Sequence, residues 1–500
     1  MQVRKTNYMV NATPTFEVLT EEEIEAIYFS ALTVLYETGV RVYDEEGIDL
    51  AHSGGAIVED RDEKSALVKM PPWMVDKALS TLPRKVVVIG PDRKHKMELF
   101  KNQIYFGAGS DTPFTIDPYT GKRRRATYED VKNFAKIAQA MPNIDFHMSL
   151  GIVQDVSVGT YDRWQYLAML EETTKPINIT AVDLDGLKDQ YEMALIRVGG
   201  KEEWRKGPIF SLYIEPVSPL SHSTEVIQKL LFASDHEIPF VYTPCPLAGA
   251  TSPCTLAGTM VQALTESLFG IVLSQLRRPG TSLIIGGLMS NMDMRTTVYC
   301  YGSPEMALLS AAYTQITKWL GVPEYETCGC SDAKMFDEQA ALEATINTTT
   351  AALIGGNMIH DVGYLEQGLT SAMEMMVATD EIIDRVKCIL RGIPVNDETK
   401  ALDVMDEVGP GGHFLDHDHT YERFKTEIWR PKITDRLNWQ NWEAAGSKSY
   451  RDRVHERVLE ILEAETEPLM DEAMVKELRH ICELADERHK DEELDVDMFG

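Results

Sequence analysis

From about residue 100 the chain repeats one arrangement of apolar and polar positions. A short apolar run ends in Gly, Pro, Ser or Thr, and a longer stretch with apolar residues three and four apart follows. Ile209–Ile214 stops at Glu215-Pro216 and Ile238–Tyr242 stops at Thr243-Pro244, before helical patterns start near Ser223 and Cys254. Four to eight continuous apolar residues bounded by turn formers describe a strand buried on both faces, and the longer periodic segments describe amphipathic helices. Strands are predicted at Gln103–Phe106, Ile144–Leu150, Pro176–Thr180, Ile209–Ile214, Ile238–Tyr242, Ser282–Ile285, Tyr325–Thr327 and Met358–Asp361. Helices are predicted at Thr127–Ala140, Thr160–Glu171, Asp183–Val198, Ser223–Ser234, Cys254–Leu276, Ser303–Leu320, Asp332–Ile354 and Ser371–Arg391. Eight strands alternating with eight helices over about 290 residues indicate an α/β fold, a TIM (β/α)8 barrel, with its chemistry on the loops at the C-terminal strand ends. A doubly wound sheet also alternates, but it has fewer strands and a glycine-rich phosphate loop. Neither G-x-G-x-x-G nor G-x-x-x-x-G-K-[ST] occurs.

The flanks follow other rhythms. Residues 1–100 read as an N-terminal α+β layer. In it a helix starts at the Thr20-Glu21-Glu22-Glu23 capping box and ends near Gly39. Short strands follow around Val40–Val42, Ala56–Val58, Leu67–Met70 and Lys85–Ile89, with another helix at Pro72–Leu82. Residues 101–392 form the barrel. Residues 393–500 form a helical C-terminal extension with an irregular GPGGHFLDHDHT loop and an acidic tail from Glu487 on.

Charge narrows the function. Asp plus Glu outnumber Lys plus Arg by 79 to 49, a net charge of −30. Such a surface repels phosphate backbones and anionic lipid, so neither nucleic acid nor a membrane surface is expected as a partner. The most apolar long window, Thr255–Leu276, contains Gln262, Glu266, Ser267 and Ser274 and reads as a buried helix rather than a membrane span. The first residues, MQVRKTNYMVNATPTFEVLTEEE, hold no secretory h-region. Seven thinly spread cysteines suit a reduced, cytoplasmic protein.

Chemistry-bearing residues gather where the strands end. Phe106-Gly107-Ala108-Gly109-Ser110-Asp111 offers small residues that let backbone approach a ligand, although tight turns use the same residues. Tyr213-Ile214-Glu215-Pro216 sets a carboxylate beside a ring at the mouth; the choice is between a bound cation and a salt bridge to a neighbouring strand. Met289, Met292 and Met294 follow the sixth strand, as core filling or as a soft contact surface. His360 and Tyr364 lie at the end of the eighth, His360 as a packing residue or a site residue. Some patterns mislead. Asp145-Phe146-His147-Met148-Ser149-Leu150-Gly151 nearly spells a D-x-H-x-x-G cobalamin signature, with the glycine one residue late. Cys328-Gly329-Cys330 is a poor zinc spacing. His413, His417 and His419 lie outside the barrel without helical ligand spacing, and no G-x-S-x-G is present. No metal is expected.

Five segments, FGAGSDTPFTIDPYTGKRR (106–124), EPVSPL (215–220), PLAGATSPCTLAG (246–258), SDAKMFDEQAALE (331–343) and GPGGHFLDHDHT (409–420), together resemble the trimethylamine:corrinoid methyltransferase family, in its larger branch lacking pyrrolysine. The resemblance covers most of residues 20–470. It implies a TIM barrel that moves a methyl group from an N-methylated amine to Co(I) of a separate small corrinoid protein, with no cofactor bound by this chain. The founding trimethylamine enzymes carry pyrrolysine in the region of Thr327–Asp337, where this chain has ordinary residues. Relatives without it act on quaternary amines such as glycine betaine, proline betaine, carnitine or γ-butyrobetaine. The resemblance therefore implies aromatic faces around a quaternary ammonium, with Tyr105, Phe106, Tyr213 and Tyr364 as candidates. Glu215 is expected as the counter-charge, with Asp111 or Asp332 able to add to it. The substrate carboxylate is expected to take donors from His360 or from backbone N–H groups of Gly107–Gly109 and Gly249–Thr251. The C-terminal extension is expected to shape either the corrinoid-protein dock or a homo-oligomer contact. Two alternatives stay open: a non-catalytic betaine-binding barrel, and a zinc-dependent thiol methyltransferase using Cys328 and Cys330.

Overall fold

A computed structural model describes residues 14–490. Its centre is a barrel of parallel strands, numbered here in chain order: β1 (Tyr105–Ala108), β2 (146–147), β3 (Ile177–Ile179), β4 (Phe210–Ile214), β5 (Phe240–Tyr242), β6 (Leu283–Gly286), β7 (Glu324–Thr327) and β8 (Met358–Val362). Seven of them form one parallel sheet in the order β1-β8-β7-β6-β5-β4-β3. The eighth place is filled by two single bridges, Gly107 to Phe146 and His147 to Ile177, which close the ring between β1 and β3. The strand predicted over Ile144–Leu150 is thus reduced to two residues. Leu150 takes a positive φ of 51°, which ends any extended run there.

The outer ring holds α1 (Tyr128–Ala140), α2 (Tyr161–Glu172), α3 (Leu184–Val198), α4 (Thr224–Asp235), α5 (Leu256–Arg277), α6 (Pro304–Leu320), α7 (Glu338–Ile354) and α8 (Met373–Leu390). Thr127, Asp183, Ser223, Ser303 and Asp337 each cap the following helix by accepting a backbone N–H. Helix α5 has the length and apolarity of a span, yet it packs in this ring with 78% of its apolar window buried. The helix predicted from Asp332 starts at Glu338 instead, because Asp337 caps it and leaves 328–336 as rim loop.

The N-terminal segment serves both ends of the barrel. Strand Val40–Val42 pairs in parallel with Ser221–His222 in the β4–α4 loop and antiparallel with Ala66–Lys69. The hairpin Val86–Ile89/Lys96–Leu99 turns Val86, Val88, Met97 and Leu99 into the barrel interior against Phe146, Met148, Val241, Ile284, Tyr325 and Met358. It plugs the N-terminal end, so ligands enter from the other side. Beyond α8 the extension runs through short helices to two longer ones, Tyr450–Glu463 and Glu472–His489. The last of these packs against α2 and α3, and residues 491–500 of the acidic tail lie outside the described residues.

Candidate functional site

The four barrel motifs build the rim of the open end. The β1–α1 loop forms a hairpin, Phe114–Ile116 with Arg123–Arg125, that pairs with Thr370–Ser371 after β8. The β5–α5 loop lays Leu247–Ala248 beside Ser290–Asp293 after β6, itself paired with Val298–Tyr299. The Glu215–Leu220 loop is held by Glu266 of α5, whose carboxylate accepts from Ser218 Oγ at 2.7 Å and Leu220 N at 2.8 Å; burial lifts that carboxyl to about 7.

Strand β8 carries an irregularity that decides what faces inward. Ile359 pairs with Phe106 and Val362 with Ala108, so three steps on β8 match two on β1. A bulge of this kind breaks the alternation of faces. Ile359 and Val362 both pack outward with the helices, which leaves His360 and Asp361 together on the inner side. Asp361 has φ 76°, a conformation disfavoured for a residue with a side chain.

His360 stacks on Tyr325 at 3.9 Å, and Tyr325 in turn lies 5.9 Å from Tyr213. The His360 Nδ1 atom sits 2.7 Å from the Glu326 carbonyl, which makes that nitrogen the N–H. Burial lowers this imidazole to about 3, so it is neutral. Its Nε2 lies 3.0 Å from Asp361 Oδ1, but off the line of a hydrogen bond, and both carboxyl oxygens of Asp361 lack an aligned donor. Burial raises the Asp361 carboxyl well above the usual range, the Thr327 hydroxyl nearby works against that, and the charge acting on it is a second negative one, Glu215.

Glu215 keeps surface open to the mouth while protein encloses it closely enough to raise its carboxyl. Tyr213 donates to Glu215 Oε2 at 2.5 Å, and Lys229 of α4 acts on it from a distance. Lys229 Nζ donates to the Ala181 carbonyl at 2.8 Å, and Asp162, Glu225, Asp183 and Asp111 also act on its ammonium. Three further rings complete the wall. Tyr301 lies edge-on to Tyr364 at 5.9 Å and 4.9 Å from Tyr299, whose hydroxyl donates to the Leu288 carbonyl at 2.7 Å. Tyr364 Oη and Ser110 Oγ are 3.0 Å apart. Asp361 acts electrostatically on Tyr299, Tyr301, Tyr325 and Tyr364 alike, so its carboxyl lies within range of all four.

The expected residues divide accordingly. Tyr213, Glu215, His360 and Tyr364 come together at the mouth. Asp111 lies at its edge, accepting from Ser149 at 2.9 Å, Gln165 at 2.9 Å and Thr180 at 3.2 Å, with its carboxyl raised by burial. Gly109 contributes space rather than a donor: its N–H goes to Val362 O, and a Cβ there would meet Tyr364 Cε1 at 2.3 Å. Asp332 accepts from Tyr301 N at 2.7 Å and so positions a ring of the wall; burial raises its carboxyl too.

Four expectations are corrected. His360 has no donor for a substrate carboxylate, because its one N–H goes to the Glu326 carbonyl. Tyr105 stands at the opposite end of β1, its hydroxyl accepting from Glu98 N of the plug hairpin at 3.1 Å. Phe106, fully buried, points outward among Phe134, Ile137 and the other helix-facing residues, because neighbours on a strand face opposite sides. Gly249 lies in a tight turn whose N–H groups, from Gly249 to Ser252, are spent on Ser252 O and Leu247 O, so no donor is left for a carboxylate. Met289 is buried core and Met294 faces solvent beside Gly249. Cys328 and Cys330 are fully buried, and burial keeps them as neutral thiols rather than the thiolates zinc requires. Residues 299, 301, 325 and 361 were missed. The Met-Ile-His-Asp-Val run was the available signal, since an acid inside an apolar strand needs a reason.

Fold and site together define a (β/α)8 barrel with an acidic, tyrosine-walled mouth. The chain belongs to the trimethylamine methyltransferase (MTTB) family, which it matches over residues 1–490. It is 33% identical over 472 residues to a trimethylamine methyltransferase of Desulfitobacterium hafniense, covering 94% of each chain. It is 29% identical over 462 residues to a glycine betaine methyltransferase of the same species, covering 92% of this chain and 95% of the relative. Among solved structures, the monomethylamine methyltransferase of Methanosarcina barkeri shares the fold, with a TM-score of 0.51 at 13% identity over 91% of this chain and 89% of that one.

Proposed function

We propose that the chain demethylates a quaternary amine of the betaine type, passing the methyl group to Co(I) of a separate corrinoid protein. One observation carries this reading: two carboxyls, Asp361 and Glu215, act on one another among tyrosine rings, and Asp361 has, among the described residues, only the Thr327 hydroxyl near it as a donor and no aligned one. A buried carboxyl in that state, with a second acid open to the mouth acting on it, favours a cation at the mouth. Tyrosine faces add on the order of 0.5–2 kcal/mol each for a desolvated ammonium.

The chemistry asks little else of the protein. A quaternary nitrogen already bears the positive charge that is lost when it keeps the C–N bond pair, so no acid has to protonate the leaving amine. The methyl carbon passes to Co(I) as the C–N bond breaks, and a tertiary amine remains. Asp361 and Glu215 hold the nitrogen, and Tyr213 fixes Glu215. Asp332 and Ser110 set the rings of Tyr301 and Tyr364. Lys229, on whose ammonium Asp111 acts, is the candidate for a substrate carboxylate, in place of the backbone N–H groups of the glycine turns. Alignment of this sort lowers a barrier by about 7–11 kcal/mol. The seven unpaired cysteines agree with the reducing cytoplasm that Co(I) needs.

The test is incubation of the protein with a panel of betaines, a corrinoid protein and a reductant, following loss of the Co(I) spectrum and formation of the tertiary amine. Stoichiometric demethylation supports the reading. Amine binding without any demethylated product overturns it in favour of a binding barrel.

A further inference from the structure

Behind the wall of rings, one buried acid ties two loops of the rim together. Glu266 stands on α5 with its side chain fully enclosed. Its Oε2 accepts from Ser218 Oγ at 2.7 Å, and its Oε1 accepts from Leu220 N at 2.8 Å and Gln262 Nε2 at 3.0 Å. The same Gln262 amide donates to the Thr251 carbonyl at 2.8 Å. The Glu215–Leu220 loop is thus held directly, and the turn after β5 is held through Gln262. Val217 and Ser221 close the first loop by exchanging both backbone hydrogen bonds at 3.0 Å, so Ser218 and Leu220 form the handle that α5 grips. Leu220 takes φ 51°, a conformation disfavoured for a residue with a side chain, and its N–H is one of the groups Glu266 holds. Glu215 lies three residues before Ser218.

All three neighbours donate, so the place suits an ionised carboxylate, whose charge makes such hydrogen bonds roughly twice as strong as neutral ones. Enclosure works the other way. Burial lifts the carboxyl from its ordinary 4.5 to about 7, against the pull of the three donors. The titratable groups facing it are Glu215 at the mouth, Tyr242 of β5, Cys245 after β5 and Tyr313 of α6, and none of them is cationic. Glu266 therefore changes charge near neutral pH. Once protonated, it keeps one acceptor oxygen and must donate from the other, so Ser218 has to turn from donor to acceptor.

We infer that Glu266 is a positioning residue of the amine site: ionised, it fixes the loop that presents Glu215 to the mouth, and protonated, it loosens that loop and with it the hold on the amine. The inference rests on the reading that Glu215 meets a quaternary ammonium. It gives the reaction a pH dependence that belongs to the rim, separate from the ionisation of Asp361 and Glu215 themselves. The loop acts on the binding of the amine and not on the breaking of the C–N bond, so the effect falls on KM and spares kcat.

The experiment is steady-state demethylation of a betaine across neutral pH, with a corrinoid protein and a reductant, by the full chain and by its Glu266→Gln and Ser218→Ala variants. Glutamine is a neutral isostere of the protonated acid. The ratio of the Glu266→Gln KM to that of the wild type is therefore expected to fall from about 10 at roughly pH 8.5 to about 1 at roughly pH 6, with kcat kept. Ser218→Ala keeps the charge of Glu266 and removes one donor. Its KM is expected to rise at high pH as well, with the transition moved upward, because a carboxylate with fewer donors holds its proton longer. Melting temperature against pH gives a reading independent of turnover. Ionisation of this acid lowers stability progressively between 4.5 and about 7, so Glu266→Gln is expected to remove that part of the decline. An unchanged melting profile, a KM ratio that is the same at every pH, or a Ser218→Ala variant with wild-type KM overturns the inference alone. A wild type that demethylates no betaine removes the reading beneath it, and the inference with it.

Discussion

At Asp361 the proposed recognition of a cation would come at the cost of stability. Its carboxyl is raised by burial, so the native state keeps a proton that the unfolded chain releases above about pH 4. Its contribution therefore becomes more unfavourable as pH rises above that point. Glu215 acts in the same direction. A cation needs the ionised forms, so substrate affinity rises with pH through the same range. Replacement Asp361→Asn is expected to raise the melting temperature at neutral pH while weakening amine binding by about 10–100-fold, the equivalent of roughly 1.5–3 kcal/mol for a charge-assisted contact. It is also expected to flatten the pH dependence of KM. Calorimetry and titration of KM against pH check all three, and a variant with unchanged KM would remove Asp361 from the site.

Among elements, β8 and β1 set the mouth by backbone geometry. The bulge after Ile359 turns His360 and Asp361 inward together, and Gly109 opposite lets the Tyr364 ring lie against the strand. Gly109→Ala puts a Cβ where that ring stands, which breaks its contact with Ser110. Turnover is expected to fall by about 100-fold, as a misplacement of roughly 1 Å does, with the fold retained by circular dichroism. Wild-type turnover would show that the Tyr364 ring has no positioning role. The βα alternation was legible because parallel strands buried on both faces leave continuous apolar runs. The bulge was not, since Met-Ile-His-Asp-Val reads as an ordinary strand until its register against Phe106 and Ala108 is known. Nor could the sequence tell which of Tyr105 and Phe106 faced the mouth: both face away, one below and one outward.

For the whole molecule, the two ends of the barrel have separate duties. The hairpin at the closed end buries Met97 in the interior, far from Asp361. Met97→Ala is expected to cost about 2–5 kcal/mol in urea unfolding and to leave the KM for the amine unchanged. A shifted KM with intact stability would contradict this division.

By itself the sequence determined the barrel, its helices, the acidic surface and the presence of Tyr213, Glu215, His360 and Tyr364 near strand ends, because these follow from local periodicity and from where apolar runs stop. Only the tertiary structure decided that Asp361 is central, that Tyr299, Tyr301 and Tyr325 join the wall, and that the glycine-turn N–H groups are already used. Those outcomes depend on register between strands far apart in the chain and on which partner each polar group finds, and neither is encoded in the spacing of residues along one segment.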